Sequence, residues 1–427
     1  MTTLSPRRIL LVDADAFFVA VARQEDPEGA GKARLLIVGG RPGSRGVVCS
    51  ASYECRAYGV RSAMPISRAL KLCPQATCVP VPRGACSARS KEIQQVLARF
   101  APIVQASSID EWYCDMGGTE ALYGHESLEA TAHRLRDAVF AATGLTVSIG
   151  GGTSRLVAKM AVELAKPKPG TGATGVRCVE PGTEATFLGP FRLADLPMVG
   201  PRFSATLARM GLDTIAEAQR WSETDLQARL GARAGAWLYR RVRGIDDSIV
   251  TPREVQKQVS REETFGRDLH DDDQLERELL RLAVRVSTDL RRQGLRARTV
   301  TVKLKDADFT TRSAQRTLAQ PIESEKSVIK AARGLYRTLR GKRRVGVRLL
   351  GIGLSHFDDD AAGTGHAVQL GFFAPPPLPA DGDPVENAKD RALTRALDQI
   401  RGRYGSAAII PARLLDQATD TGPRVEE

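Results

Sequence analysis

Four consecutive apolar residues, Ile9-Leu10-Leu11-Val12, stop abruptly at Asp13. A run this short and apolar at every position reads as a buried strand. A buried strand needs neighbours on its edges and layers on its faces, so the chain is committed early to a layered fold with a carboxylate at the strand end. Helices and strands then alternate along the chain. Residues 16–24 read as a helix. Residues 35–38 read as a strand stopped by Gly39-Gly40, and Val47-Val48 continues the extended pattern. Residues 52–58 and 65–72 read as short helices, the second ended before Pro74.

Ile93, Val96, Leu97 and Phe100 give residues 87–100 helical spacing. Residues 103–109 look extended and end at Asp110-Glu111, and Trp112-Tyr113-Cys114 looks like a returning strand. Residues 128–142 are helical. Residues 145–149 form a strand rich in β-branched residues. Thr153 or Ser154 can cap a helix running to about residue 165, which Lys166-Pro167-Lys168-Pro169-Gly170 ends. This alternation is α/β or α+β. Residues 173–245 are mostly helical. Residues 251–358 mix strands (299–304, 348–354) with long helices (274–293, 326–339). From Asp358 the chain turns Asp-, Gly- and Pro-rich and reads as linker. Residues 387–404 regain helical periodicity, with no evident role.

The 427 residues suggest two to four domains. Lys and Arg exceed Asp and Glu by 12, and the surplus is local: Arg253 to Phe357 holds 24 basic and 14 acidic residues. A basic domain of that size suits a polyanion, most simply nucleic acid. The seven cysteines contain no C-x-x-C pair, which argues against disulfides or zinc. The five histidines show no metal-like spacing. No apolar run is long enough to span a membrane, and residues 1–8 lack a signal-peptide core, so a cytoplasmic protein is expected.

The chemistry concentrates at two strand ends, Asp13-Ala14-Asp15 and Ser108-Ile109-Asp110-Glu111. Carboxylates there converge if the strands are neighbours. Mg²⁺ takes hard oxygen ligands, and two such ions about 3.5–4 Å apart can activate a 3′-hydroxyl and stabilise a leaving pyrophosphate. Asp-x-Asp is also common in turns, so spacing alone does not decide.

Together the segments Val12-Asp13-Ala14-Asp15-Ala16-Phe17-Phe18, Ala51-Ser52-Tyr53-Glu54-Cys55-Arg56, Gly59-Val60-Arg61-Ser62-Ala63-Met64-Pro65, Ser108-Ile109-Asp110-Glu111 and Ala165-Lys166-Pro167 resemble the motifs of Y-family DNA polymerases, in that family's order. They look most like the DinB or DNA polymerase IV branch, over roughly residues 8–357. The resemblance implies an α+β multidomain right hand: palm (1–16 and 84–172), small fingers (17–83), a helical thumb with a helix–hairpin–helix (173–245) and a basic α/β little finger (251–358). Residues 359–427 would hold a linker, a clamp-binding peptide and a C-terminal helix.

The same resemblance implies roles. Asp13, Asp110 and Glu111 would hold two Mg²⁺ ions, for which Mn²⁺ can substitute, with the backbone carbonyl of Ala14 as a further ligand. Asp15 matches the motif without being expected to bind metal; a turn or cap hydrogen bond is the plainer reading. Phe18 sits at the family's steric gate, where a ring under the sugar rejects a 2′-hydroxyl by clash, and Phe17 would be core. Tyr53 and Arg56, three apart on one helix face, would meet the incoming triphosphate with Lys166 and Ser50. Arg suits phosphate through its planar fork. A surface pair and a helix C-terminal cation are the plainer readings of these residues.

Leu196-Pro197-Met198-Val199-Gly200-Pro201 resembles the thumb's hairpin, where the Gly200 backbone can face a DNA phosphate, although Met198 and Pro201 depart from the usual residues. Arg296 and Arg298 precede a strand whose alternation puts Lys303 and Lys305 on one face, suited to phosphates of any sequence. Gln369, Leu370, Phe372 and Phe373 look like a sliding-clamp peptide, an apolar anchor with one orienting polar group; a strand packing back on the body is the alternative. Trp112, beside Glu111, is larger than expected and should face away from the metals.

The resulting expectation is an error-prone, template-dependent DNA polymerase, a monomer binding primer–template DNA, dNTPs and a clamp, cytoplasmic and nucleoid-associated when on DNA. Its main alternative is a non-catalytic DNA-binding adaptor of a translesion complex, whose signature would be loss of acidic ligands; all three are present. A palm-fold nucleotide cyclase would need neither the basic domain nor Phe18.

Overall fold

The computed structural model describes residues 6–167, 172–252, 256–358, 386–405 and 408–417. The chain divides into two compact units, Met1–Glu254 and Val255–Glu427.

In the first unit, strands β1 (Ile9–Ala14), β5 (Ile103–Ala106), β6 (Glu111–Asp115), β7 (Val147–Gly152) and β8 (Val176–Cys178) form a sheet in the order β5-β6-β1-β7-β8. All neighbours are antiparallel except β7 and β8. Strand β1 is central and buried at every position, because both its faces are covered. Leu10 and Val12 pack with Ile93, Val96 and Leu97 of helix α4 (Arg83–Leu97) and Leu135 and Val139 of α5 (Leu128–Thr143). Ile9 and Leu11 pack with Ala158 and Val162 of α6 (Arg155–Ala165).

Helix α6 is held unusually close. Strand β7 ends in Gly150-Gly151-Gly152, and a Cβ on Gly150 would lie 2.2 Å from the Ala158 carbonyl oxygen and 2.3 Å from the Val162 nitrogen. Ser154 caps α6 by accepting from Val157 N–H and donates to the Gly244 carbonyl. The sequence pattern stops β7 at Ile149; glycines carry no side-chain period, so their part of the strand was invisible there. Strand β8 lies in a stretch that reads as helical, and it extends this sheet beyond residue 172.

A smaller sheet, β3-β2-β4, joins β2 (Leu36–Gly39), β3 (Val48–Ala51) and β4 (Thr77–Val79). With α1 (Phe17–Glu25), α2 (Tyr53–Ala57) and α3 (Ile66–Leu72) it fills residues 17–79. Five short helices come next: α7 (Glu184–Leu188), α8 (Pro201–Arg209), α9 (Ile215–Gln219), α10 (Glu223–Leu230) and α11 (Ala232–Arg241). Their core includes Leu156 and Met160 of α6, so α6 is shared between the first sheet and this helical layer. Met198 departs from the usual hairpin residue at a position with φ of 73° and is 82% exposed, a left-handed conformation that costs a residue with a Cβ. Pro201 opens α8 at its first position, where the missing N–H has no helical partner to lose.

The second unit has a four-stranded antiparallel sheet, β11-β10-β12-β9, of β9 (Gln258–Leu269), β10 (Ala297–Asp306), β11 (Thr311–Ile322) and β12 (Val347–Phe357). Helices α12 (Asp272–Arg292) and α13 (Glu325–Lys342) cover one face through Val300, Val302, Leu304, Leu282, Val286 and Val328. Helix α14 (Ala388–Tyr404) packs on this unit: Asp398 accepts two hydrogen bonds, at 2.6 and 2.7 Å, from the half-buried Arg291. Just before it, Glu386 accepts from the backbone N–H groups of Glu323 and Ser324 at the start of α13. All seven cysteines are free. Among the described residues no helix is long and apolar enough to cross a membrane.

Candidate active site

Alternation along β1 decides where the first carboxylate goes. Ile9 and Leu11 face α6, so Asp13 does too, while Leu10 and Val12 face the opposite core. In register, Asp13 is paired with Glu111 on β6 and Ser148 on β7. Cross-strand partners share a face, so Asp13 and Glu111 meet at one corner of the sheet. The corner is closed by the Ala14 N–H donating to the Asp110 carbonyl at 2.9 Å and the Asp15 N–H donating to the Thr146 carbonyl at 3.0 Å.

Two lysines from the α6 segment bind the carboxylates. Lys166 Nζ lies 2.9 Å from Asp13 Oδ2, and Lys159 Nζ lies 2.5 Å from Glu111 Oε1 and 4.0 Å from Asp13 Oδ2. Burial pushes the Asp13 carboxyl up to about 7, although Lys166 opposes it. Burial also acts on Glu111, but the Lys159 hydrogen bond and charge outweigh it and hold that carboxyl below its usual range. The two carboxylates thus differ in what dominates them: burial for Asp13, the Lys159 ion pair for Glu111. Both lysines are held above the ordinary range, since the facing carboxylates outweigh their own desolvation.

Asp110 is placed differently. Its carboxylate accepts from Ser108 Oγ at 2.5 Å. Among the described residues no three acidic, histidine or cysteine side chains close into a ligand cluster. The structure therefore brings Asp13 and Glu111 together and leaves the Asp110 side chain bonded within its own turn. Asp15 lies in the turn that leaves β1, but its side chain makes no turn or cap bond: its Oδ1 accepts from Ser148 Oγ at 2.7 Å across the sheet, its Oδ2 is buried without a hydrogen-bond partner, and burial raises its pKa. Trp112 is fully buried on the α4–α5 side, away from Asp13 and Glu111.

The chain turns out of β1 at Ala16, which has φ of 45°. That turn sends Phe17 into the core and leaves Phe18 half-buried, the two rings edge-on at 5.6 Å. Ser52 caps α2, and Ser50 is buried in β3. On α2 the Arg56 guanidinium lies over the Tyr53 ring, 4.9 Å from its centre, and Arg56 Nε donates to the Ala51 carbonyl. Burial raises the Tyr53 hydroxyl's pKa, with Asp15 adding to it and Arg56 and Lys166 opposing. Tyr53 is therefore within electrostatic reach of the carboxylate corner.

Of the more distant sequence candidates, Gly200 is the N-cap of α8. Lys303 and Lys305 lie on the sheet face away from α12 and α13, as alternation requires, with Lys303 bonded to Glu262 at 3.0 Å. Arg296 donates to the Pro321 carbonyl, and Arg298 to Ala319 and Asp358, so both brace the strand edge. Gln369, Leu370, Phe372 and Phe373 lie outside the described residues. Lys159 was missed by sequence reasoning. Its one signal is a spacing of seven from Lys166, which is two helical turns and so the same face.

Comparison with known proteins identifies the fold and the family. Residues 12–163 match the impB/mucB/samB family, residues 256–369 its C-terminal domain, and residues 194–246 the thumb domain of DNA polymerase-iota. The chain is 35% identical to a DNA polymerase IV of Dehalococcoides mccartyi over 96% of its own length and 98% of the relative's. It is also 35% identical to a DNA polymerase IV of Caulobacter vibrioides, over 95% and 93%. A Y-family DNA polymerase chimera of Dbh and Dpo4 shares the fold with a TM-score of 0.72 at 22% identity, covering 82% of this chain and 98% of that one. The chain belongs to the DNA polymerase IV branch of the Y-family DNA polymerases.

Proposed function

We propose that the chain is a template-dependent, error-prone DNA polymerase that adds deoxynucleotides to a primer 3′ end and bypasses damaged template bases. The observation that carries this is the cross-strand Asp13–Glu111 pair, each carboxylate already bonded to a lysine, with Asp13 close enough to Tyr53 to act on its hydroxyl.

The donor set suits Mg²⁺, or Mn²⁺ in its place: oxygen ligands only, two of them carboxylates whose present partners are themselves cations. Asp13, Asp110, Glu111 and the Ala14 carbonyl are the residues that would hold two such ions. Bound there, divalent ions supply positive charge to the triphosphate and activate the 3′-hydroxyl. The protein's own part is positioning and charge. Arg56 and Lys166 pair with the triphosphate, and Tyr53 and Ser50 orient it through their hydroxyls. Phe18 lies under the sugar and excludes a 2′-hydroxyl. The Gly200 backbone, Arg296, Arg298, Lys303 and Lys305 contact DNA phosphates without reading bases. The segment with Gln369, Leu370, Phe372 and Phe373 binds a sliding clamp and raises the local concentration of enzyme at primer ends. The enzyme is a cytoplasmic monomer.

Primer extension with Mg²⁺ and dNTPs tests this against an Asp110→Ala/Glu111→Ala variant. Extension by the parent alone establishes the reading. Failure of both, with primed DNA still bound, would overturn it in favour of a non-catalytic adaptor.

A further inference from the structure

We propose that Lys159 is a positioning residue: its ammonium holds Glu111 in place and neutralises the Asp13–Glu111 pair until a divalent cation takes over that charge. The inference rests on the polymerase reading of the site.

Three observations carry it. First, Asp13 and Glu111 are register partners on one face, and two carboxylates at such range repel unless a cation or proton lies between them. Second, the two lysines have different commitments. Lys166 is shared between Asp13 and Glu163, at 2.9 and 2.8 Å. The two carboxylates that Lys159 reaches are both at the site: Glu111 at 2.5 Å and Asp13 at 4.0 Å. Third, the backbone that carries Lys159 cannot drift. Its helix lies against the bare glycine end of β7, is capped by Ser154, and is buried along most of its length. A long flexible side chain on a fixed helix can withdraw and return, while its Cα keeps the distance. Lys159 is thus one charge that stands where the site needs positive charge and is free to leave.

A purely structural salt bridge would stabilise the fold with or without metal. A positioning lysine makes a different prediction, because a cation can replace it. The experiment uses the full chain and compares the parent with Lys159→Met, Lys159→Arg and Glu111→Gln. Melting temperature is measured in EDTA, in Mg²⁺ alone and in Mn²⁺ alone, and steady-state dNTP kinetics are measured on primed DNA. We expect Lys159→Met to melt lower than the parent in EDTA and to recover more of that difference in metal, so that its metal-induced shift exceeds the parent's. Its kcat falls about 10–100-fold with the dNTP KM unchanged, and Lys159→Arg restores most of both. Equal metal-induced shifts in parent and Lys159→Met, or an unchanged kcat, would overturn the proposal. If Lys159→Met does not fold, Lys159→Gln replaces it with the same readouts. Failure of the polymerase reading is distinguishable: the parent would then not extend primers, while the metal-linked melting shift would still report on Lys159.

Discussion

Strand β1 is buried at all six positions, whereas β10 alternates between buried and half-exposed ones. The first runs through a sheet covered on both faces, by α4 and α5 on one side and α6 on the other. The second runs through a sheet covered by α12 and α13 on one face only. Charge follows cover. In the five-stranded sheet half-buried carboxylates and lysines are gathered into ion pairs at one corner; in the four-stranded sheet Lys303, paired with the exposed Glu262, and Lys305 stand on an open face with Thr301, Ser313 and Gln315. Reaction chemistry needs few charges held rigidly in a dry place, while grip on any sequence needs many weak, wet ones.

The sharpest way to break this comparison is to remove one charge from each sheet. Glu111→Gln should lower primer extension by about 10²–10³-fold or more with primer–template affinity unchanged; a variant that keeps its rate would mean the corner is not the reaction centre. Next in size is a methyl group. Gly150→Ala places a Cβ against the α6 backbone and should cost about 1–3 kcal/mol of stability. Gly351→Ala has the exposed Glu262 side chain as its nearest neighbour, which can give way, and should cost less, under about 1 kcal/mol. Denaturant unfolding measures both, and equal losses would erase the distinction between covered and open sheet.

A smaller effect depends on pH. The Asp13 carboxyl is raised from 3.8 to about 7 in the folded protein, so the stability it contributes is full below 3.8 and is lost as pH rises through about 7. In a chelator, Asp13→Asn should therefore gain melting temperature relative to the parent across that window. A flat difference would show that Asp13 is ionised in the folded protein throughout that window. Smallest of all, Lys305→Ala should weaken DNA binding a little at every sequence, lower the salt slope by about 1 and leave kcat alone. A sequence-dependent loss measured by anisotropy would show that the open face reads bases.

Legibility in the sequence followed side-chain pattern. Ile9–Val12 was readable because burial on both faces leaves an unbroken apolar run, and α12 and α13 because their apolar stripes are long. Strand β11 went unread, since its polar residues lie on an open face and its apolar ones are few. The carboxylates were recognisable from their motifs, but their partner Lys159 was not: a lone lysine on an amphipathic helix looks like any solvated one. That Asp15 bonds Ser148, 133 residues away, is a matter of register alone.

The bare glycine seam between β7 and α6 has a consequence for motion. A helix resting on side chains can rock as they change rotamer; one resting on backbone has nothing soft beneath it. Because α6 also belongs to the core of the succeeding helices, no partial opening frees it alone. Its amide protons should exchange with solvent only when the whole first unit unfolds, among the slowest in the chain. The clock of the carboxylate corner is then set by side chains moving over a backbone that does not.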